Sequence, residues 1–158
     1  MLRIRLFRAF LPLILSSLVP CIAASPAHPF LDTSRPNRWS ALAADRLQPD
    51  MKEAIRRAHE AVDRICRTAP EEITYENTFG ALEEVNVSLT EPMAKAYALK
   101  SLCDSDSIRK AMDEATPLAV AFHSSLTKNQ SLWNTLKTAH ARLGDAVADP
   151  ERKRYMEL

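Results

Sequence analysis

The 158-residue chain is 46% apolar and 26% charged but only 6% aromatic, with two glycines and a formal charge of +1 at neutral pH. So little glycine excludes sandwiches, barrels and glycine-rich phosphate loops, whose turns depend on it, and leaves an all-α chain about one domain long. Without Arg3, Arg5 and Arg8 the balance is 18 basic against 20 acidic side chains, which gives no electrostatic reason to bind nucleic acid or an anionic membrane.

The first predicted element is an address. Met1 to Arg8 is basic, no acidic residue precedes Asp32, and an apolar run from Ala9 to Ala24 is broken by Pro12 and Pro20. Basic start, short apolar middle and small-residue end make a secretory signal peptide over residues 1–24. A cut after Ala24 puts Ile22 and Ala24 at the −3 and −1 positions; a cut after Ala27 is the second reading. A membrane anchor needs about 20 unbroken apolar residues. Mitochondrial presequences are amphipathic, whereas this run is apolar all round, and Pro20 beside Cys21 argues against a lipoprotein site. The expectation is export to the periplasm or beyond, without a stable membrane anchor.

Residues 25–48 read as an extended segment with Pro29 and Pro36, anchored by Trp39. A helical region over 49–158 follows. Pro49 suits the first turn of helix one, where its missing N–H costs nothing, and Met51, Ala54, Ile55, Ala58, Val62 and Ile65 form one apolar stripe. Thr74 caps a second helix with Glu76 in its first turn. Its stripe is Tyr75, Phe79, Leu82, Val85, Leu89, Met93 and Ala96 or Tyr97, and Pro92 is expected to kink or split it. Ser105 or Asp106 opens a third helix on Ile108, Ala111, Met112, Ala115, Leu118 or Ala119, Phe122 and Leu126, again with an internal proline, Pro117. Asn129 caps a fourth on Leu132, Trp133, Leu136, Ala139 or His140 and Leu143, stopped by Gly144. Asp149-Pro150-Glu151 opens a fifth that ends almost at once, so the expected architecture is an antiparallel bundle of about four helices plus a truncated fifth.

The chemistry is sparse. His59-Glu60-Ala61-Val62-Asp63 approaches H-E-x-x-H, which sets two imidazoles on one helical face with a glutamate as general base. Asp63 stands at the second ligand position and no third ligand is in view, so a solvated His–Asp pair is the better reading. His28, His123 and His140 show no ligand spacing, and His140 reads as a helix-interface residue. Phe79, Phe122 and Trp133 read as core, Gly80 as a close helix contact, and Arg152-Lys153-Arg154 as a solvated face. Cys66 and Cys103 close successive helices, about 40 Å apart at about 1.5 Å per residue, where a disulfide needs about 7 Å. No bridge is expected, and no residue is assigned a catalytic, cofactor-binding or metal-ligating role.

Several runs carry a resemblance. Thr74-Tyr75-Glu76-Asn77-Thr78 followed by Leu82-Glu83-Glu84-Val85 resembles the T-W-E-N-T … P-L-E-E-L signature of the thimet oligopeptidase and oligopeptidase A family of zinc metallopeptidases. Pro29-Phe30-Leu31 is similar to that family's early N-P-L-L, and Trp39-Ser40-Ala41-Leu42 with Leu47-Gln48-Pro49-Asp50 and Ala54-Ile55 to the approach to its first helix. Ser101 to Leu118 and Asn129 to Trp133 match further family runs in order. Tyr75 stands where the family more often has Trp. The resemblance spans residues 28–158 and implies the N-terminal, non-catalytic helical part of an exported oligopeptidase, one wall of a channel for short peptides. Pro92 and Pro117 have counterparts there. The family's zinc site lies downstream of any matched run, so zinc and peptide hydrolysis belong to the whole enzyme, and a C-terminal catalytic half is the implied partner. The alternatives are a stand-alone helical peptide-binding module, or a subunit docking through Tyr155, Met156 and Leu158.

Overall fold

A computed structural model describes residues 27–34, 36–103, 105–144 and 146–157. The expected signal segment and its cut after Ala24 lie outside them. Among the described residues there are five α-helices and no strand: α1 Ala44–Cys66, α2 Ala81–Cys103, α3 Asp106–Thr127, α4 Gln130–Leu143 and α5 Pro150–Met156. The chain is an all-α helical bundle. No described helix is long and apolar enough to cross a membrane.

α1 buries Met51, Ala54, Ala58, Val62 and Ile65 as the stripe requires, with Ile55 at its edge. It begins earlier than expected, at Ala44 rather than Pro49, so the preceding segment ends at Ala43. Proline inside a helix frees one carbonyl, here that of Asp45, and Asp45 and Pro49 are both exposed. The added turn brings Leu47 into the helix seam, where it and Asp50 are fully buried. On the outer face Glu53 takes Arg56 at 2.8 Å and Arg57 at 2.7 Å. Those hydrogen bonds, from Arg56 first and then Arg57, hold its carboxyl down at about 2.

Thr74 acts as the expected cap. Its hydroxyl accepts from the Asn77 N–H at 3.2 Å while the Asn77 side chain accepts from the Thr74 N–H at 2.9 Å, a reciprocal capping box with asparagine in the usual glutamate place. The first turn, Glu76–Gly80, is wound as a π turn, closed by Gly80 N–H donating to the Tyr75 carbonyl at 2.8 Å. Gly80 therefore serves no close helix contact: the nearest atoms to a Cβ placed on it belong to Tyr75, at 3.4 Å and beyond. Alanine there keeps the fold and removes glycine's unfolded-state entropy. Gly80→Ala is expected to raise stability by about 0.5–1 kcal/mol in urea denaturation.

Neither internal proline splits its helix. α2 runs through Pro92 and α3 through Pro117. The carbonyls they free belong to Ser88 and Asp113, both exposed. The buried ring of Pro92 instead fills the seam with α1. Arg64 and Ile65 wall one cleft with Ala81 and Val85, and Ala54 walls the next with Pro92, so α1 and α2 run antiparallel. Cys66 and Cys103, both free, close these two helices at opposite ends.

The main core joins α1, α2 and α3, with Phe30 and Leu132 completing it. A second, smaller core gathers Ile73, Phe79, Ala139 and Met156, half-covered by Tyr75 and Tyr155. Asn129 caps α4 by accepting from Leu132 N–H at 3.0 Å, and Asp149 caps α5 by accepting from Glu151 N–H at 2.9 Å. Gly144 follows α4 in right-handed geometry, its N–H on the His140 carbonyl at 2.9 Å.

Three expectations are corrected here. Trp39 is 42% exposed and belongs to neither hydrophobic core; Phe30, with no exposed surface, is the core residue of the N-terminal segment. Trp133 is 62% exposed and His140 also faces solvent. The α4 stripe is Leu132, Leu136, Ala139 and Leu143, and residues 133 and 140 each sit one helical step off it. The last helix, short as it is, packs on the bundle rather than standing as an exposed turn: Met156 is only 7% exposed and Tyr155 is half-buried, and Leu158 lies outside the described residues.

Candidate functional site

The most constructed polar arrangement lies where the N-terminal segment crosses α1 and α2. Pro29–Leu31 makes one 3₁₀ turn, and Pro29 and Phe30 are buried. Asp50 of α1, with no exposed surface, accepts from the Phe30 N–H at 2.9 Å through Oδ2 and from His28 Nδ1 at 2.9 Å through Oδ1. Lys95 of α2, 4% exposed, donates to the carbonyls of Phe30 at 3.0 Å and Asp32 at 2.6 Å. Its second support is Glu91, 3.6 Å away. The backbone of Phe30 is thus read at both its N–H and its C=O by buried charges from two helices. A charge taken out of water is tolerable only when paired and hydrogen-bonded, so segment and slot complete each other. A cavity of about 290 Å³ adjoins Phe30 and Leu31 and reaches Ala54 and Pro92.

A second concavity, about 820 Å³, opens between the π turn, α2 and α5. Glu76, Glu83, Glu84, Glu91 and Glu151 line it, with Tyr75 and Tyr155 as its aromatic wall. Arg152 lies across it, 2.8 Å from Glu76 and 4.7 Å over the Tyr75 ring, so this residue of the expected solvated face is a docking residue for α5. Burial pushes both tyrosine hydroxyls up, and in Tyr75 the neighbouring Glu83 adds to it. The Glu76 carboxyl is held below the usual range by its own backbone N–H and then by Arg152. A group with a lowered folded pKa stabilises above its unfolded value and loses that contribution as pH falls through the folded one. α5 is therefore expected to exchange its amides faster as pH drops from about 5 to about 3, once intrinsic exchange is corrected. The Arg152→Ala variant should show a smaller acid step, because the backbone N–H that acts first on Glu76 remains.

A third concavity, about 600 Å³ and mostly apolar, lies between α4 and α5, walled by Phe79, Leu82, Trp133, Leu136 and Met156. It is here that the exposed Trp133 finds its setting.

The residues weighed as chemical candidates do not come together. His59 is exposed, its ring 4.9 Å from that of Phe122 and edge-on to it, and Asp63 one turn on is exposed too. Among the described residues no three His, Cys, Asp or Glu side chains are grouped to hold a metal ion. Residue reading missed Asp50 and Lys95. The signal for them was present but faint: two charges, one at an apolar-stripe spacing before Met51 and Ala54, the other just before Ala96. No known protein-family model matches the chain, and no solved structure matches it.

Proposed function

We propose that this chain is the non-catalytic, N-terminal helical wall of an exported zinc-dependent oligopeptidase. In the whole enzyme it would line the path of short peptides, while a C-terminal catalytic half supplies metal and hydrolysis. The observation that carries the reading is the run Thr74 to Thr78. It bears the most specific part of the resemblance, and its side chains make a dense local structure. Besides the capping box, Thr78 Oγ1 donates to the Thr74 carbonyl at 2.6 Å, and Asn77 Nδ2 donates to the Glu72 carbonyl at 2.8 Å. Tyr75 and Phe79 stack at 6.1 Å between ring centroids. A motif so tied to one turn geometry supports common descent of the turn better than chance similarity of composition.

The sequence contains no H-E-x-x-H, so no hydrolytic step is assigned to its residues. The test is to sequence the source locus through and beyond the Leu158 codon. A frame continuing to H-E-x-x-H makes peptide hydrolysis the function of the whole protein. Purified 158-residue chain is expected to hold no stoichiometric zinc and to leave a quenched fluorogenic peptide intact. Chelator-sensitive cleavage by the chain alone would overturn the proposal.

A further inference from the structure

We propose that the slot between α1 and α2 is a recognition site for a peptide wound in one 3₁₀ turn and bearing an aromatic residue between proline and leucine. The chain's own His28–Asp32 segment occupies it in cis. The inference deepens the peptide-binding alternative and does not depend on the oligopeptidase reading.

Recognition here is of the kind used for a ligand. Asp50 takes an N–H and Lys95 takes two carbonyls. None of these three contacts needs a particular side chain on the segment, so they grip any chain in this conformation. Selectivity comes from what is buried alongside: the proline ring and the phenyl group of Phe30, with Leu31 half-covered against the main core. His28 adds an imidazole to Asp50 from the rim. The link to the rest of the molecule takes little part, since Thr33, Ser34, Pro36 and Arg38 are exposed. The cavity beside Phe30 and Leu31 gives room for bulkier side chains than those in place. Both gripping groups are at least nine-tenths buried. With the segment gone they would lose these three backbone partners, and another chain of the same form offers the same N–H and carbonyls.

The experiment keeps the whole chain. A protease site is inserted between Ser34 and Asn37, the purified protein is cleaved there, and a fluorescent peptide Ala-His-Pro-Phe-Leu-Asp is added. The expected result is that the severed segment co-elutes with the bundle and is displaced by the peptide with saturable anisotropy. Replacing the peptide's phenylalanine by alanine, or using the Lys95→Met bundle, should weaken binding at least tenfold. Intact, uncleaved chain should bind the peptide at least tenfold more weakly than the cleaved one. If cleavage unfolds the bundle, added peptide should restore its helical circular dichroism. The proposal is overturned if the cleaved bundle stays folded yet binds no peptide, if the alanine peptide binds equally, or if an unfolded cleaved chain is not restored.

Discussion

Asp50→Ala should lower the stability of the folded chain by about 3–5 kcal/mol, the usual cost of deleting one member of a buried charged arrangement. The carboxylate is the acceptor for the buried Phe30 N–H and for His28, and alanine leaves the first without its protein partner. An unsatisfied buried donor alone costs about 1–3 kcal/mol. Set against a total of about 5–15 kcal/mol for a domain, the loss is large enough to leave a measurable unfolded population. Asp50→Asn keeps an acceptor oxygen for one of the two donors and should lose roughly half as much. Urea denaturation followed by circular dichroism gives both values. A loss below about 1 kcal/mol for alanine would mean that the N-terminal segment is not held through this carboxylate.

The second large effect lies in the seam of α1 and α2. Leu89 is only 2% exposed in the main core, one turn before Pro92. Leu89→Ala should cost about 2–5 kcal/mol, toward the upper end because the proline ring limits how far the backbone can collapse into the void. Trp133→Ala provides the contrast. A tryptophan truncated in a core costs about 3–5 kcal/mol, but Trp133 stands mostly in solvent, and its replacement should stay within about 0.5 kcal/mol. If the two variants melted alike, the placement of α4 would be wrong.

That contrast also marks how far the sequence could be read. Spacing of three and four found the inward face of α1, whose other faces are polar, and most of those of α2 and α3, although Val87, Tyr97, Leu102 and Val120 lie exposed outside the stripe. In α4 Trp133 and His140 adjoin Leu132 and Ala139, so a phase error of one residue was invisible locally. Caps were legible because capping is local chemistry: Thr74, Asn129 and Asp149 each receive a backbone N–H within three residues. The start of α1 was misread because proline at a first turn and proline one turn further in look the same until the exposure of the freed carbonyl is known. Asp50 and Lys95 could not be paired from the sequence at all. Their partner is a segment 20 residues before one and 65 before the other, and nothing short-range links the three.

The same separation bears on the order in which the molecule assembles. Contacts spanning 63 and 65 residues carry a loop-closure cost that the capped turns and the α2–α3 link do not. A chain emerging from its N-terminus presents Phe30 long before Lys95 exists to grip it. Closure of the slot is thus a late event, after the helices have packed. Substitutions at Lys95 should accordingly leave the refolding rate nearly unchanged and speed unfolding, a φ-value near zero. The kinetic lifetime of the native state is then set in good part by how tightly its earliest-made residues are fastened last.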